Sequence, residues 1–227
     1  MSTPSAPAVL FDIDGTLVDS NYLHVHAWVR AFHEVGIGVD TWRIHRSIGM
    51  DGSTLVDTLS DGADDDVQDR LTDLHSRYYE ESTPLLRVLP GGRDILEHVA
   101  SMGLQVVLAT SAPEDELAIL RRVLDRDSLV AAITSSEDVD MAKPDPGIVA
   151  VALDRAGVSA DRAVFVGDAV WDAEACARAG VSSIGLLSGG FSRDELTGAG
   201  AEAVFTDAAD LLTHIDDTAI AKLAQQT

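Results

Sequence analysis

Basic side chains are scarce in this sequence. Its 227 residues include 16 Lys and Arg against 38 Asp and Glu, which gives a formal net charge of −22. A field of that sign repels nucleic acid and anionic membranes, so it argues against both as partners. Only two lysines are present, Lys143 and Lys222, and arginine supplies the other positive charges. We interpret the excess of Asp, and of Arg over Lys, as a genomic or salt-adaptation bias rather than a functional signal.

Cysteine and long apolar runs are equally rare. The single cysteine, Cys176, excludes an intramolecular disulfide and a metal-thiolate cluster, and its small neighbours favour a buried structural thiol. No run reaches the length of a membrane span, and the N-terminus lacks the features of a signal peptide. We therefore expect a cytoplasmic protein without a membrane partner, whose Pro/Ser-rich residues 1–7 form an unfolded tail.

An apolar segment near the N-terminus ends in two carboxylates. Residues 9–13 have the β-rich composition of a buried strand, and Asp12 and Asp14 lie at its end, before a turn at Gly15. Ligands of parallel α/β sheets bind at this end of the strands. Two anions this close require a cation, a shared proton or wide solvation. The alternative interpretation of the stretch is a solvated Asp-Gly turn.

Between residues 20 and 88 the pattern is helical. Ser20 or Asp19 is a candidate N-cap for a helix ending at Gly36, and further helices are predicted at 40–48, 52–60 and 65–82. No convincing strand occurs there. A helical segment of this length is an insertion rather than an ordinary crossover between two strands.

Strands and helices alternate after Pro90. The pattern predicts strands within 104–112, 129–135, 163–175 and 181–187, and helices at 93–101, 114–125, 146–156 and up to 179. One last short strand and a helix are predicted within 200–215. This alternation is typical of an α/β fold with a doubly wound parallel sheet. We divide the chain into a first core part (1–19), a helical insertion (20–88) and a second core part (89–227).

Further polar residues follow the predicted strands. They are Thr110 and Ser111, Lys143 in the loop MAKPDP, and Asp168 and Asp172. Three carboxylates around one crevice make a site for Mg²⁺, which prefers oxygen ligands, and the Lys143 ammonium neutralises Asp12 and a substrate phosphate. Alternatively, Asp168 is a helix N-cap, Thr110 is a strand-end hydroxyl and Lys143 is a surface charge.

These residues, in this order, resemble the four motifs of the haloacid dehalogenase-like (HAD) superfamily. The resemblance implies a Rossmann-like core in which Asp12 is the nucleophile that forms an aspartyl-phosphate and Asp14 is the acid and base. It implies Mg²⁺ bound by Asp12, the Asp14 carbonyl and Asp168, with Asp172 supporting the ion. Thr110, Ser111 and Lys143 would hold the phosphate.

The second aspartate decides the reaction type that the resemblance implies. Relatives that break carbon–halogen bonds lack it, so Asp14 favours a Mg²⁺-dependent phosphatase acting on a small phosphorylated metabolite, such as phosphoglycolate or a sugar phosphate. The insertion resembles the helical cap of the subfamily containing phosphoglycolate phosphatase and β-phosphoglucomutase. On that cap His24 and Arg46 are candidate substrate-binding residues; the alternatives are a partly buried polar group for His24 and a solvated charge for Arg46.

Three other functions share part of this pattern. A phosphosugar mutase has the same first half-reaction, but the cap arginine that grips the mutase's second phosphate aligns with Gly52. A signalling receiver domain also combines acidic residues, Thr/Ser and Lys-Pro around Mg²⁺, but it is about half as long and has no cap. A binding protein without catalysis would have lost Asp12, Asp14 or Lys143. The sequence carries no signal for an oligomeric state.

Overall fold

The computed structural model describes residues 5–50, 52–139, 141 and 143–225. Residues 1–4 of the predicted tail lie outside this set. The prediction of an unfolded tail is wrong for Pro7, which is buried and whose carbonyl accepts a hydrogen bond from the Gln105 backbone N–H at 2.8 Å. The backbone ahead of the first strand therefore already belongs to the fold.

One parallel sheet organises the described residues, with strand order β3-β2-β1-β4-β5-β6. Its strands are β1 (Ala8–Phe11), β2 (Gln105–Ala109), β3 (Val130–Thr134), β4 (Ala163–Gly167), β5 (Ser182–Leu186) and β6 (Ala203–Phe205). The order reverses between β1 and β4, which are neighbours although most of the chain separates them. The predicted α/β doubly wound fold is confirmed, and the crevice between β1 and β4 is where such sheets bind ligands.

Both faces of the sheet are covered, which explains why β1 is apolar throughout. Val9 and Phe11 pack into one buried cluster, whereas Ala8 and Leu10 pack into another. Successive side chains of a strand point to opposite faces, so a strand between two helical layers is apolar at every position. The helices of these layers are α5 (Gly92–Ser101), α6 (Glu114–Leu124), α7 (Gly147–Ala156), α8 (Val170–Ala179), α9 (Arg193–Ala199), α10 (Ala208–Thr213) and α11 (Ala219–Ala224).

Four helices occupy the segment between β1 and α5. They are α1 (Asn21–Val35), α2 (Thr41–Ser47), α3 (Gly52–Leu59) and α4 (Asp65–Ser82). Their buried side chains, among them Trp28, Phe32 and Tyr79, form an apolar cluster distinct from those of the sheet. We call Asn21–Ser82 the four-helix segment. The division of the chain at residues 20 and 88 stays a prediction.

Both ends of α1 lie where the sequence predicts them, but the start lacks a side-chain cap. Gly36 ends the helix in the left-handed conformation, with φ of 79°. Ser20 holds the N-cap position without capping through its side chain, and its hydroxyl donates to the Asp14 carboxylate instead. The predicted N-cap position is therefore correct for Ser20, but its backbone, with φ of −127° and ψ of −25°, is not the extended one from which a side chain caps a helix. No helix of the described chain has the length and apolarity needed to cross a membrane.

Candidate active site

Three carboxylates meet at the carboxyl end of the sheet. Asp12 follows β1 directly, Asp168 follows the neighbouring β4, and Asp172 lies in the first turn of α8. Each offers an oxygen within 4.8 Å of the others, and all three residues are buried. Burial, together with the neighbouring aspartates, raises the pKa of Asp12 well above its usual range despite the opposing effect of Lys143.

Lys143 lies inside this cluster. Its side chain is buried, and its Nζ is 2.7 Å from Asp12 Oδ1 and 2.7 Å from Asp172 Oδ1. Nζ also donates to the carbonyl of Ala109 at 3.2 Å. Burial alone would lower the pKa of Lys143, but the charges of Asp12 and Asp172 reverse this and raise it. Lys143 is therefore a buried ammonium ion, and the alternative of a surface lysine is wrong.

Asp168 is held by two donors from the turn and helix that follow β1. Thr16 Oγ1 donates to Asp168 Oδ1 at 2.7 Å, and Asn21 Nδ2 donates to Oδ2 at 2.9 Å. Burial, followed by the charge of Asp172, raises the pKa of Asp168 to about 7. The N-cap position of α8 belongs to Ala169, so the alternative of Asp168 as an N-cap is wrong.

The donor set of this cluster suits a hard divalent cation. Three buried carboxyl groups face one ammonium ion, so all three can be ionised together only beside a further positive charge. Asp172 is oriented by a second contact, since its Oδ2 accepts from the Ala169 N–H at 3.1 Å. Oxygen ligands alone, without sulfur or imidazole, match the preference of Mg²⁺. The acidic cluster is thus compatible with the predicted ion.

Asp14 has different surroundings. Its carboxylate accepts from the Ser20 hydroxyl and lies 3.4 Å from His24 Nε2. Burial by itself would raise the pKa of Asp14, but the hydrogen bonds from His24 and Ser20 outweigh it, so the pKa is lowered. For His24, burial would lower the pKa, but the bond to Asp14 and the charge of Glu116 raise it. Between Asp14 and His24, the proton therefore resides on the His24 imidazole rather than on the Asp14 carboxylate.

The contacts continue from His24 to two residues that the sequence did not indicate. His24 Nδ1 lies 3.1 Å from His75 Nε2, and His75 Nδ1 lies 3.8 Å from Glu116 Oε1. Burial, and then the nearby His24, lower the pKa of His75 well below its ordinary value, whereas burial raises the pKa of Glu116 to about 7. His24 and His75 come from the four-helix segment, and Glu116 comes from α6, so the chain Asp14–His24–His75–Glu116 bridges it to the sheet domain.

A cavity of about 390 Å³ is lined by Asp12, Asp14, His24, His75, Glu116 and Asp168. Lys143 and Asp172 lie behind this wall, where Lys143 contacts both Asp12 and Asp172. Thr110 and Ser111 line it directly after β2, and the Thr110 hydroxyl accepts from the Ala112 N–H at 3.1 Å. Further walls come from the four-helix segment, including Trp28, Ile48 and Leu55. A volume of this size is typical of pockets for small molecules.

The sequence-predicted residues do not all reach this cavity. The structure brings together Asp12, Asp14, Thr110, Ser111, Lys143, Asp168, Asp172 and His24. It does not bring Arg46 with them. The Arg46 guanidinium pairs with Glu195 of α9 and lies 4.2 Å from the Phe191 ring centroid, outside the cavity lining. The expectation that Arg46 faces the substrate is therefore corrected, because an acidic partner on the sheet domain holds it elsewhere.

The chain is similar to several known proteins in sequence and in fold. A family model described as haloacid dehalogenase-like hydrolase matches residues 9–186. A phosphoglycolate phosphatase of Rhodospirillum rubrum is 31% identical over 214 residues, which cover 90% of this chain and 88% of the relative. A phosphorylated carbohydrates phosphatase of Thermotoga maritima is 31% identical over 182 residues, with coverages of 78% and 83%. The crystal structure of a hydrolase from Pseudomonas syringae has a TM-score of 0.90 and 37% identity, covering 94% of this chain and 99% of that one.

Proposed function

The chain belongs to the haloacid dehalogenase-like hydrolases, and we propose that it is a Mg²⁺-dependent phosphatase of small phosphorylated metabolites that acts through an aspartyl-phosphate. The observation that carries the proposal is the buried contact of Lys143 with Asp12 inside the three-carboxylate cluster. A lysine beside the nucleophile keeps that carboxylate compatible with an incoming phosphate, which two bare anions would oppose. The names of the two phosphatase relatives point to the same reaction class.

In the first half-reaction a carboxylate oxygen of Asp12 attacks phosphorus, and the bond from phosphorus to the alcohol oxygen breaks. The Lys143 ammonium and the hydroxyls of Thr110 and Ser111 bind the phosphoryl oxygens as charge moves between them. When bound to Asp12, Asp168 and the Asp14 carbonyl, Mg²⁺ would neutralise phosphate charge and fix the phosphate for in-line attack.

Asp14 and His24 transfer the proton that the leaving alkoxide needs. Since the pKa of Asp14 is lowered and that of His24 is raised, His24 supplies the proton that Asp14 passes to the leaving alkoxide. In the second half-reaction Asp14 takes a proton from water and returns it to His24. The water oxygen attacks phosphorus, the bond from phosphorus to Asp12 breaks, and inorganic phosphate leaves.

We also propose that the four-helix segment is a cap that closes the cavity and excludes bulk water. Two polar contacts between this segment and the sheet domain support that role. His45 Nε2 lies 2.9 Å from the Gly189 carbonyl, and Arg46 pairs with Glu195. A closed cap strengthens the electrostatic contacts of Asp12 and Lys143 with the substrate.

The test is phosphate release from a panel of phosphorylated metabolites, with Mg²⁺ or with EDTA. We expect turnover that requires Mg²⁺ and that Asp12→Asn abolishes, because an amide is not a nucleophile toward phosphorus. Release that persists in Asp12→Asn would contradict the assigned nucleophile. Isomerisation of a sugar phosphate without net phosphate release would favour a mutase.

A further inference from the structure

The charge of the cavity wall restricts what the substrate carries besides its phosphate. Among the described residues that line the cavity, none is arginine or lysine. The few residues that the structure leaves undescribed include neither type. Lys143 is committed to Asp12 and Asp172 at the phosphate end. A second phosphate or a carboxylate of the substrate would therefore meet no permanent cation in the cap half of the cavity.

Four of the five arginines of the four-helix segment pair with acidic side chains outside the cavity, and the fifth, Arg43, is not in the cavity lining either. Arg46 pairs with Glu195, Arg30 pairs with Glu81, and Arg77 pairs with Glu34. Arg46 also lies over the Phe191 ring, so its side chain is fixed by two contacts. None of these guanidinium groups faces the cavity.

The wall carries an acid where an anion-binding site would carry a base. Glu116 lines the cavity with only 7% of its surface exposed, and His75 beside it contributes an imidazole. A second anionic group on the substrate would lie beside the Glu116 carboxyl and the Asp14 carboxylate, with no cation to balance its charge. His24 does not offset them, since its Nε2 already faces Asp14.

What remains on this wall suits an uncharged, hydroxylated molecule. Thr72 and Ser76 place hydroxyl oxygens on this wall, and such oxygens form hydrogen bonds with sugar hydroxyls. Trp28 and Leu55 add apolar surface for the carbon skeleton. The volume of about 390 Å³ also exceeds what a two-carbon acid needs.

Building on the proposed phosphatase function, we infer that the substrate is a phosphate monoester of an uncharged polyol or sugar. We expect a compound that carries a second phosphate or a carboxylate to have a lower kcat/KM. The inference separates this chain from a phosphoglycolate-specific enzyme and from a mutase that binds a bisphosphate.

Matched substrate pairs test the inference directly. Glycerol 3-phosphate and 3-phosphoglycerate differ by a hydroxymethyl group in place of a carboxylate, and so do sorbitol 6-phosphate and 6-phosphogluconate. With the full chain and Mg²⁺, we expect kcat/KM to be roughly tenfold higher for the uncharged member of each pair, since a buried anion without a cation beside it costs about that much. p-Nitrophenyl phosphate serves as the general phosphatase substrate.

A substitution that adds a positive charge to the cavity wall is the second test. Gly52 lines the cavity, and a Cβ there would meet only Trp28 Cζ2, at an ordinary 3.7 Å. Gly52→Arg should therefore raise kcat/KM for the carboxylated substrates and narrow the difference within each pair. Gly38→Arg is the matched control, because Gly38 has open space around it and lies outside the cavity lining. The control should leave the ratios of the wild type unchanged.

The possible failures are distinguishable. If the wild type prefers the carboxylated members while still hydrolysing p-nitrophenyl phosphate, the substrate class is overturned and the phosphatase function stands. If Gly38→Arg changes the ratios as much as Gly52→Arg, the cavity wall does not set the preference and the inference fails. If no phosphomonoester is hydrolysed, the proposed function fails as well.

Discussion

Lys143 determines whether the acidic cluster can exist in a folded chain. Its Nζ contacts two of the three carboxylates at 2.7 Å, and only 2% of the residue is exposed. A buried ion pair contributes little compared with an apolar replacement of the whole set, but removing one partner leaves uncompensated charge. Lys143 is thus a structural requirement of the cluster, besides its role in the proposed mechanism.

We expect Lys143→Ala to lower the free energy of unfolding by about 3 kcal/mol at neutral pH without Mg²⁺, because Asp12 and Asp172 lose their counter-ion. Lys222→Ala is the matched control, since Lys222 is exposed and its loss should change stability by less than about 0.5 kcal/mol. Urea unfolding of both variants measures the difference. Equal midpoints would show that Lys143 does not stabilise the cluster.

Glu116 carries a separate prediction about pH. Burial raises its pKa to about 7 from 4.5, so folding holds a proton that the unfolded chain releases. The resulting cost to stability begins above about pH 4.5 and is complete above about pH 7. We therefore expect Glu116→Gln to gain stability relative to the wild type between about pH 5 and pH 8, by about 3 kcal/mol at most.

The control for this substitution is Glu114→Gln, which removes the same charge from an exposed position on the same helix. Its stability should follow the wild type across the pH range. Parallel stability curves for Glu116→Gln and the wild type, measured by urea unfolding at each pH, would refute the buried-carboxylate account.

At this scale the sequence predicted the residues that follow strands and missed those that only packing assembles. Asp12, Thr110 and Asp168 are each the first residue after an apolar run, a position visible without coordinates. His75 and Glu116 lie within amphipathic helices, and nothing local distinguishes them from ordinary polar positions. Only the tertiary structure brings α4 and α6 close enough for this contact.

Among the elements, the turn after β1 packs closely against Asn21 and Asp168 of the site. Gly15 lies there with φ of +72°, and a Cβ at this position would be 2.3 Å from Asn21 Nδ2 and 2.4 Å from Asp168 Oδ2. The turn therefore needs glycine for its backbone and for the space that the hydrogen bond from Asn21 to Asp168 occupies.

The substitutions Gly15→Ala and Gly36→Ala separate the effect of a positive φ from the effect of a side chain that clashes with the site. Both glycines have positive φ, but a Cβ at Gly36 meets nothing within 4 Å. We expect both variants to lose about 1 kcal/mol of stability from backbone strain. Only Gly15→Ala should also lose activity, by at least about tenfold, because Asp168 must move. Equal activity of the two variants, measured by phosphate release, would contradict the role of this turn.

Most elements were predictable because each carries a complete local signal. The helix expected at 65–82 is observed as α4 over the same residues, since its apolar positions recur with helical spacing. The helices α9 and α11 were missed. They have seven and six residues, so few apolar positions reveal a period, and packing against the sheet stabilises them more than propensity does.

For the whole molecule, the question is how a chain with a net charge of −22 binds an anion. The doubly wound topology places the ends of β2, β1 and β4 side by side, so Thr110, Asp12 and Asp168 meet although they are far apart in sequence. The fold surrounds one buried ammonium ion with aspartates, whose remaining negative charge suits the proposed divalent cation. The substrate specificity could not be predicted from the sequence, because the positions of Arg46 and Glu116 depend on tertiary contacts.

The central claim is that Asp12 takes the phosphoryl group before water does. The most direct test is pre-steady-state release of p-nitrophenol from p-nitrophenyl phosphate by Asp14→Asn in Mg²⁺. This leaving group needs no proton, so the first half-reaction survives while the second loses its base. We predict a burst of about one equivalent per chain followed by slow turnover, and no burst in Asp12→Asn. Linear release by Asp14→Asn at the wild-type rate, or a burst in Asp12→Asn, would contradict the account.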